Sequence, residues 1–204
     1  MARGYMGRIL VVDLTTKDLR DEPLDEQLSR DFLGGYGVGA KLLYDRMPAH
    51  VDPLGPESLL AFLTGPLTGS PAIEGNRFVV VCKSPLTDTW GDANCGGTFG
   101  PHLKFAGYDG VVFSGKAERP VYLAIDGGRP ELRDAVHLWG KDTTETEDLL
   151  KAALGETKGR DGKRVEIASI GPAGERLSLL AGIINDKARA AGRSNPGSDG
   201  APAC

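Results

Sequence analysis

The stretch NRFVVVCKSPLTDTWGDANCGGTFGPHLKFAGYDG, residues 76–110, joins an arginine-headed apolar run to a glycine-rich turn. Arg77 to Cys82 has the β-branched, apolar composition of a strand. DANCGG, residues 92–97, then puts an asparagine and two glycines where the chain must bend. An arginine offers a planar fork of donors to an anion, and glycine lets backbone amides approach a large ligand with no Cβ between. The stretch therefore predicts a strand feeding a surface that holds a polar anion, with the rest of the chain as its scaffold.

Outward from it, residues 8–14, 59–63, 111–113, 121–125 and 164–170 read as further short strands, with TTKD, TGPLTGSPAIEGN, SGKAERP, DGGRP and KGRDGK as turn or loop signals. Helical spacing occurs over 24–33, which Gly34 and Gly35 stop, over 40–47, which ends before Pro48, and over 143–154. The last has Asp142 or Thr143 as its cap and Gly155 past its end. Residues 177–191 read as a strand followed by a short helix. Short strands joined by turns, with few helices, predict an α+β fold of mainly antiparallel sheet, because a doubly wound parallel sheet would need more crossover helices.

Composition bounds the function. The 204 residues, 40% of them hydrophobic, suffice for a real core. The 28 acidic and 24 basic residues are mixed along the chain and leave a net charge of -4, so no basic field is available for nucleic acid. Apolar runs such as Leu59 to Leu63 fall far short of the roughly 20 residues of a membrane span. The first residues lack a signal-peptide pattern, and the expected location is cytoplasmic. Cys82, Cys95 and Cys204 give neither a disulfide framework nor a CxxC pair. Glycine, at 29 residues, is about twice its usual share of roughly 7%. These glycines cluster at turns, which predicts tight bends and close backbone approach.

Several residues are candidates for chemistry. Arg77 is either an anion or pterin ligand or a surface salt-bridge arginine. Asn94 is either an oxygen ligand for a hard cation such as magnesium or a turn asparagine. Gly96 and Gly97 permit close approach of a ligand or simply make a tight turn. Arg189 and Arg193, four apart, would share a helical face and could clasp phosphate, or else form a solvated basic face. GGYGVGA satisfies G-x-G-x-x-A at Gly35, Gly37 and Ala40, but a helix and not a strand precedes it, which favours a helix-glycine-helix bend over a dinucleotide site. Cys95 has no histidine beside it and reads as a packed, inert thiol. His102 and His137 stand alone, and nothing in the sequence pairs Asp92, Asp109 or Asp186 across space.

Taken together, GPLTG at 65–69, NRF, KSPLTD, DANCGGTFGPHLKFAGYDG, SGKAERPVYL, ASIGPAGE at 168–175 and NDKARAAGR at 185–193 resemble the N-terminal domain of the tungsten-containing aldehyde ferredoxin oxidoreductase family, from about Gly7 to Arg193. The resemblance implies a saddle-like base of two β-sheets carrying a tungsten bis-pterin cofactor (tungstopterin), with the metal held by the pterins' dithiolene sulfurs. It implies that Arg77 lies beside the pterin and near a [4Fe-4S] cluster, and that Gly96 follows the cofactor turn. Asn94 and Ala190 would give backbone carbonyls to a Mg2+ bridging the pterin phosphates, with Arg189 beside Ala190 in the later cofactor loop. The implied activity is oxidation of an aldehyde to a carboxylate, or a related reduction, with ferredoxin as electron partner.

Past Arg193 the family continues with a GAVMGSKNLKA-like segment and two large helical domains that supply four cluster cysteines and the substrate pocket. Here the chain reads SNPGSDGAPAC. The expectation is therefore a base domain over 1–193 and a disordered tail over 194–204. Alone, the chain should be inactive, lacking C-terminal domains or a partner chain, and should expose apolar surface and associate. The alternative is a truncated or frameshifted non-enzymatic fragment, or a pterin-binding subunit that needs a separate catalytic chain. A nucleotide-binding module built on GGYGVGA is a weaker third reading.

Overall fold

The structure, a computed structural model, describes residues 4–71, 75–157, 163–187 and 189–191. Arg193, Cys204 and the 194–204 tail lie outside the described residues. Along the chain the strands are β1 (Arg8–Asp13), β2 (Asp18–Pro23), β3 (Leu60–Thr64), β4 (Phe78–Lys83), β5 (Trp90–Cys95), β6 (Gly110–Ser114), β7 (Val121–Asp126), β8 (Arg129–Asp134), β9 (Ala168–Ser169), β10 (Ile183–Asn185) and β11 (Arg189–Ala191). The helices are α1 (Glu26–Phe32), α2 (Gly35–Arg46), α3 (Phe99–Phe105), α4 (Thr143–Ala153) and α5 (Pro172–Glu175).

The apolar runs that lack alternation lie at the centre of the main sheet. β4, FVVVCK, is buried at every position except its last, and β3 is buried throughout, so both are covered on two faces. The six strands run in the order β2-β1-β6-β3-β4-β5, and within this sheet only β1 and β6 pair in parallel. The α+β class with mainly antiparallel pairing is as expected. The smaller sheets are β11-β10-β9 and β7-β8.

Because side chains alternate along a strand, each central strand feeds two cores. Leu10, Val12, Phe62, Phe78, Val80 and Phe113 face one way, against Leu123 and Leu132 of the β7-β8 hairpin. Ile9, Ala61, Leu63, Val79, Val81 and Val112 face the other, and α2 covers them with Val38, Leu42 and Leu43. GGYGVGA is the opening of that helix: α2 starts at Gly35, earlier than the expected 40, and follows α1. A Cβ on Gly39 would lie 2.7 Å from Val81 Cγ2, so this glycine lets the helix rest on the sheet.

Side chains close two helix ends, Asp142 as expected and Asp25 unanticipated. Asp25 accepts from the Leu28 amide at 2.8 Å, and Asp142 accepts from the Glu145 amide at 2.8 Å. Two expectations need correction. The strand over 164–170 is reduced to β9, and the helix expected in 177–191 is instead a hairpin of β10 and β11. Asp186 and Lys187 take left-handed φ of 47° and 59°, which turns the chain back on itself before a helix can form.

Asp109 has a structural place. It accepts from the Gly7 amide at 2.6 Å and the Met6 amide at 3.1 Å, and lies 3.5 Å from buried Lys104, whose ammonium also donates to the Gly65 carbonyl at 2.8 Å and to Gly4. Burial lowers the Lys104 amine from its ordinary value, and the Asp109 charge opposes that. Lys104→Met should cost about 2 kcal/mol by leaving buried acceptors without a donor. Urea unfolding measures it, and a loss under about 0.5 kcal/mol would contradict the assigned role.

Candidate functional site

Strand order brings the ends of the decisive stretch together. Arg77 immediately precedes β4, Asn94 lies on edge strand β5 opposite Val79, and Gly96 follows β5 directly. Arg77 Nη1 donates to Asn94 Oδ1 at 3.1 Å. The β10-β11 hairpin packs on β5 and delivers Arg189 to the same place. A Cβ added to Gly96 would meet Arg189 Nη1 at 3.5 Å and Arg77 Nε at 3.9 Å, so two guanidinium groups flank one glycine. With Gly69, Ser70 and Phe105 they line an open cleft. Two like charges at such range repel, and an anion set between them reverses the sign. Two arginine forks around a bare backbone are thus the groups that could cradle an anion.

Asn185 and Asp186 hold this arrangement in place. Fully buried Asn185 donates to the Gly96 carbonyl at 3.1 Å and accepts from the Cys95 thiol at 2.9 Å. Asp186 accepts from the Thr98 amide at 2.9 Å and from its hydroxyl at 3.0 Å, and its Oδ2 lies 3.6 Å from Arg189 Nε. Burial raises the Cys95 thiol above its ordinary value, and Arg189 pulls it back only in part, which fits the inert reading. Glu166 is also raised, chiefly by burial, with Asp186 adding to the rise and Thr98 and His102 opposing it. Near Asn94, burial raises the Tyr36 hydroxyl above its ordinary value, with Asn94 opposing that rise and Asp92 adding to it, and the Trp90 indole donates to Asp92 at 2.9 Å.

Of the residues singled out from sequence, Arg77, Gly96 and Arg189 line the cleft, and Asn94 joins them through Arg77. Ala190 is the next residue on β11, exposed and paired with Ile184. Asp186 has found its partners, Asp92 accepts from the Trp90 indole, and His137 lies in a short 3-10 turn, Val136–Leu138, away from the cleft. Tyr36, Thr98, Asn185 and Glu166 were not anticipated. Asn185-Asp186, a pair that tolerates left-handed turns, was the available signal for the hairpin. Among the described residues no group of three or more His, Cys, Asp or Glu could hold a metal, and no helix is long and apolar enough to cross a membrane.

A cavity of about 310 Å³ lies elsewhere, between Phe62, Phe113, Leu123, Leu150 and Ile167. It follows the seam between two apolar cores and is mostly apolar, whereas the polar cleft is where charged groups converge. Convergent polar groups are what orient a ligand, and they favour the cleft.

Comparison with known proteins bears on what that cleft takes. The sequence model described as "Aldehyde ferredoxin oxidoreductase, N-terminal domain" matches residues 9–199. The tungsten-containing aldehyde ferredoxin oxidoreductase of Pyrococcus furiosus is 49% identical over 194 residues, 95% of this chain and 31% of that protein. An aliphatic sulfonate oxidoreductase WOR-like subunit of the same organism is 36% identical, over 93% of this chain and 31% of its own length. Among solved structures, a chain of the active-site complex BamBC of benzoyl coenzyme A reductase, in complex with 1,5-dienoyl-CoA, superposes with a TM-score of 0.91 at 39% identity. That match covers 98% of this chain and 29% of the other. The chain thus spans about a third of the length of these relatives.

Proposed function

The chain belongs to the aldehyde ferredoxin oxidoreductase family, and from that membership we propose that its cleft is the base on which a tungsten bis-pterin cofactor is held by its phosphates. The observation that carries this reading is the convergence of Arg77 and Arg189 on Gly96. Two permanent cations neutralise phosphate charge, and the missing Cβ lets a wide ligand lie against the backbone. Asn94 and Ala190 would give carbonyl oxygens to the Mg2+ between the phosphates, a hard cation that prefers such ligands. When bound, the tungsten centre supplies two-electron oxidation of an aldehyde or related substrate.

The remaining parts of this reading concern what lies beyond the chain. The [4Fe-4S] cluster, the substrate pocket and the ferredoxin contact would belong to the other two-thirds of such a protein, which works in the cytoplasm. The base alone is inactive on aldehydes. Exposed Leu33, Tyr44 and Leu180 are surfaces such further domains would cover.

The test is calorimetric titration of the chain with inorganic pyrophosphate, with and without magnesium. Binding is expected to tighten with magnesium, and Arg77→Gln or Arg189→Gln should each weaken it about tenfold. Pyrophosphate binding that neither substitution affects would overturn the reading.

A further inference from the structure

We propose that Thr68 is a positioning residue of this anion site: its hydroxyl holds the Arg77 carbonyl and so fixes the backbone from which the Arg77 guanidinium reaches the cleft. The inference rests on the anion-site reading above. Pairing of β4 begins at Phe78, opposite Thr64 on β3 and Cys95 on β5, so Arg77 stands one residue outside the paired register. A long side chain carries any movement of its Cα to its tip. The Thr68 hydroxyl lies 2.7 Å from the Arg77 carbonyl oxygen and 3.1 Å from the Gly65 amide. Chemistry fixes the direction of both bonds, because a peptide carbonyl only accepts and a peptide N–H only donates. The hydroxyl therefore gives its one hydrogen to Arg77 and takes one from Gly65.

The loop that carries Thr68 is itself pinned. Gly65 follows β3 directly, and its carbonyl accepts from the Lys104 ammonium of α3 at 2.8 Å and from the Thr68 amide at 3.1 Å. The Gly69 amide donates to the Gly75 carbonyl at 2.7 Å, and Gly69 and Ser70 form part of the cleft wall. Thr68 is 7% exposed and does not line the cleft, so it acts on an anion through what it holds. The helix α3 closes on the same backbone: a Cβ on Gly100 would lie 3.4 Å from the Arg77 carbonyl oxygen and 3.2 Å from Phe78 Cβ. From this root the Arg77 guanidinium meets Asn94 Oδ1 at 3.1 Å and lines the cleft. Without the hydroxyl the carbonyl can turn and the guanidinium samples more rotamers, which an anion must then order on binding.

Calorimetric titration with pyrophosphate over a double-mutant cycle is the test. Thr68→Val keeps the branched shape, removes the hydroxyl and should weaken binding about fivefold, whereas Thr68→Ser should stay within about twofold of the parent. In an Arg77→Gln chain Thr68→Val should add nothing, since Thr68 acts through Arg77, while in an Arg189→Gln chain its loss of about fivefold should persist. Leu150→Ala, which loosens a separate core, should leave affinity unchanged. Full affinity in Thr68→Val, no rescue by serine, a loss that persists in the Arg77→Gln chain, or the same loss in Leu150→Ala would overturn the inference while leaving the site reading intact. A chain that binds no pyrophosphate, or binds it unaffected by Arg77→Gln and Arg189→Gln alike, would overturn both. Should Thr68→Val not fold, the Thr68 hydroxyl proton of the unsubstituted chain decides by NMR. Coupling is reciprocal, so a bond that favours the anion is favoured by it, and pyrophosphate should slow exchange of this proton about fivefold. Exchange that pyrophosphate leaves unchanged would overturn the inference.

Discussion

Replacement of Gly97 by alanine should destabilise the chain by about 4 kcal/mol and abolish pyrophosphate binding, whereas the same change at Gly96 should fold normally and lose the ligand alone. Gly97 has a φ of +101°, and a Cβ there would lie 2.0 Å from Asp186 Oδ2, 2.8 Å from Arg189 Cδ and 2.8 Å from Asn185 Nδ2. Side-chain atoms can usually move aside, but these are tied: Asp186 to Thr98, Asn185 to Gly96 and Cys95. An alanine in a left-handed dihedral costs about 1–2 kcal/mol, and displacing a charged hydrogen-bond pair costs about 1.5–3 more. Against a total stability of roughly 5–15 kcal/mol that is a large share. At Gly96, by contrast, the nearest atom to an added Cβ is Arg189 Nη1 at 3.5 Å, an ordinary contact, but the methyl would stand on the cleft floor. Urea unfolding and calorimetry on the two variants separate the cases. A Gly97→Ala chain within about 1 kcal/mol of the parent would refute the clamp.

This pairing of neighbours also shows what the sequence could and could not disclose. A Gly-Gly turn, an arginine and an asparagine are what an anion surface needs, and they are equally what a tight turn beside a surface salt bridge needs. Which glycine faces the ligand and which faces the clamp depends on β11, some ninety residues later, and no local pattern reports that. The buried strands β3 and β4 were legible as apolar runs. Edge strands β2 (DLRDEP) and β5 (WGDANC) were not, since one is charged and the other alternates small buried residues with polar exposed ones. α3 was hidden by its proline and glycine, and β8 by its charges. NDKARAA has the composition of a helix, yet the left-handed Asp186 and Lys187 turn the chain and pairing with β10 makes Arg189–Ala191 a strand. Arg189 therefore reaches the cleft carried by a hairpin and not on a helical face.

Asn185→Ala should cost about 3 kcal/mol and lower pyrophosphate affinity about tenfold, although Asn185 itself does not line the cleft. The residue is fully buried and joins two elements through one amide, taking the Cys95 thiol hydrogen on its oxygen and giving its own hydrogen to the Gly96 carbonyl. Alanine leaves the buried thiol and the half-buried carbonyl without their partner and opens a small void. It also unties the hairpin that sets Arg189 opposite Gly96, so affinity should fall with stability. Asn185→Asp separates these effects. Its carboxyl keeps the acceptor for the thiol, but can donate to the Gly96 carbonyl only when protonated. Burial would raise that carboxyl's folded value above its unfolded value of about 3.9, so the folded state would bind the extra proton. The variant should approach parent stability in acid and lose it as pH rises from about 4 through the folded value. Cys95→Ala closes the cycle: with the thiol gone, Asn185 retains the Gly96 bond, so the loss should be about 1 kcal/mol and anion affinity should be nearly unchanged. Equal losses of affinity in Cys95→Ala and Asn185→Ala would place the hold on Arg189 in the thiol, and not in the amide that spans from β10 to the turn after β5.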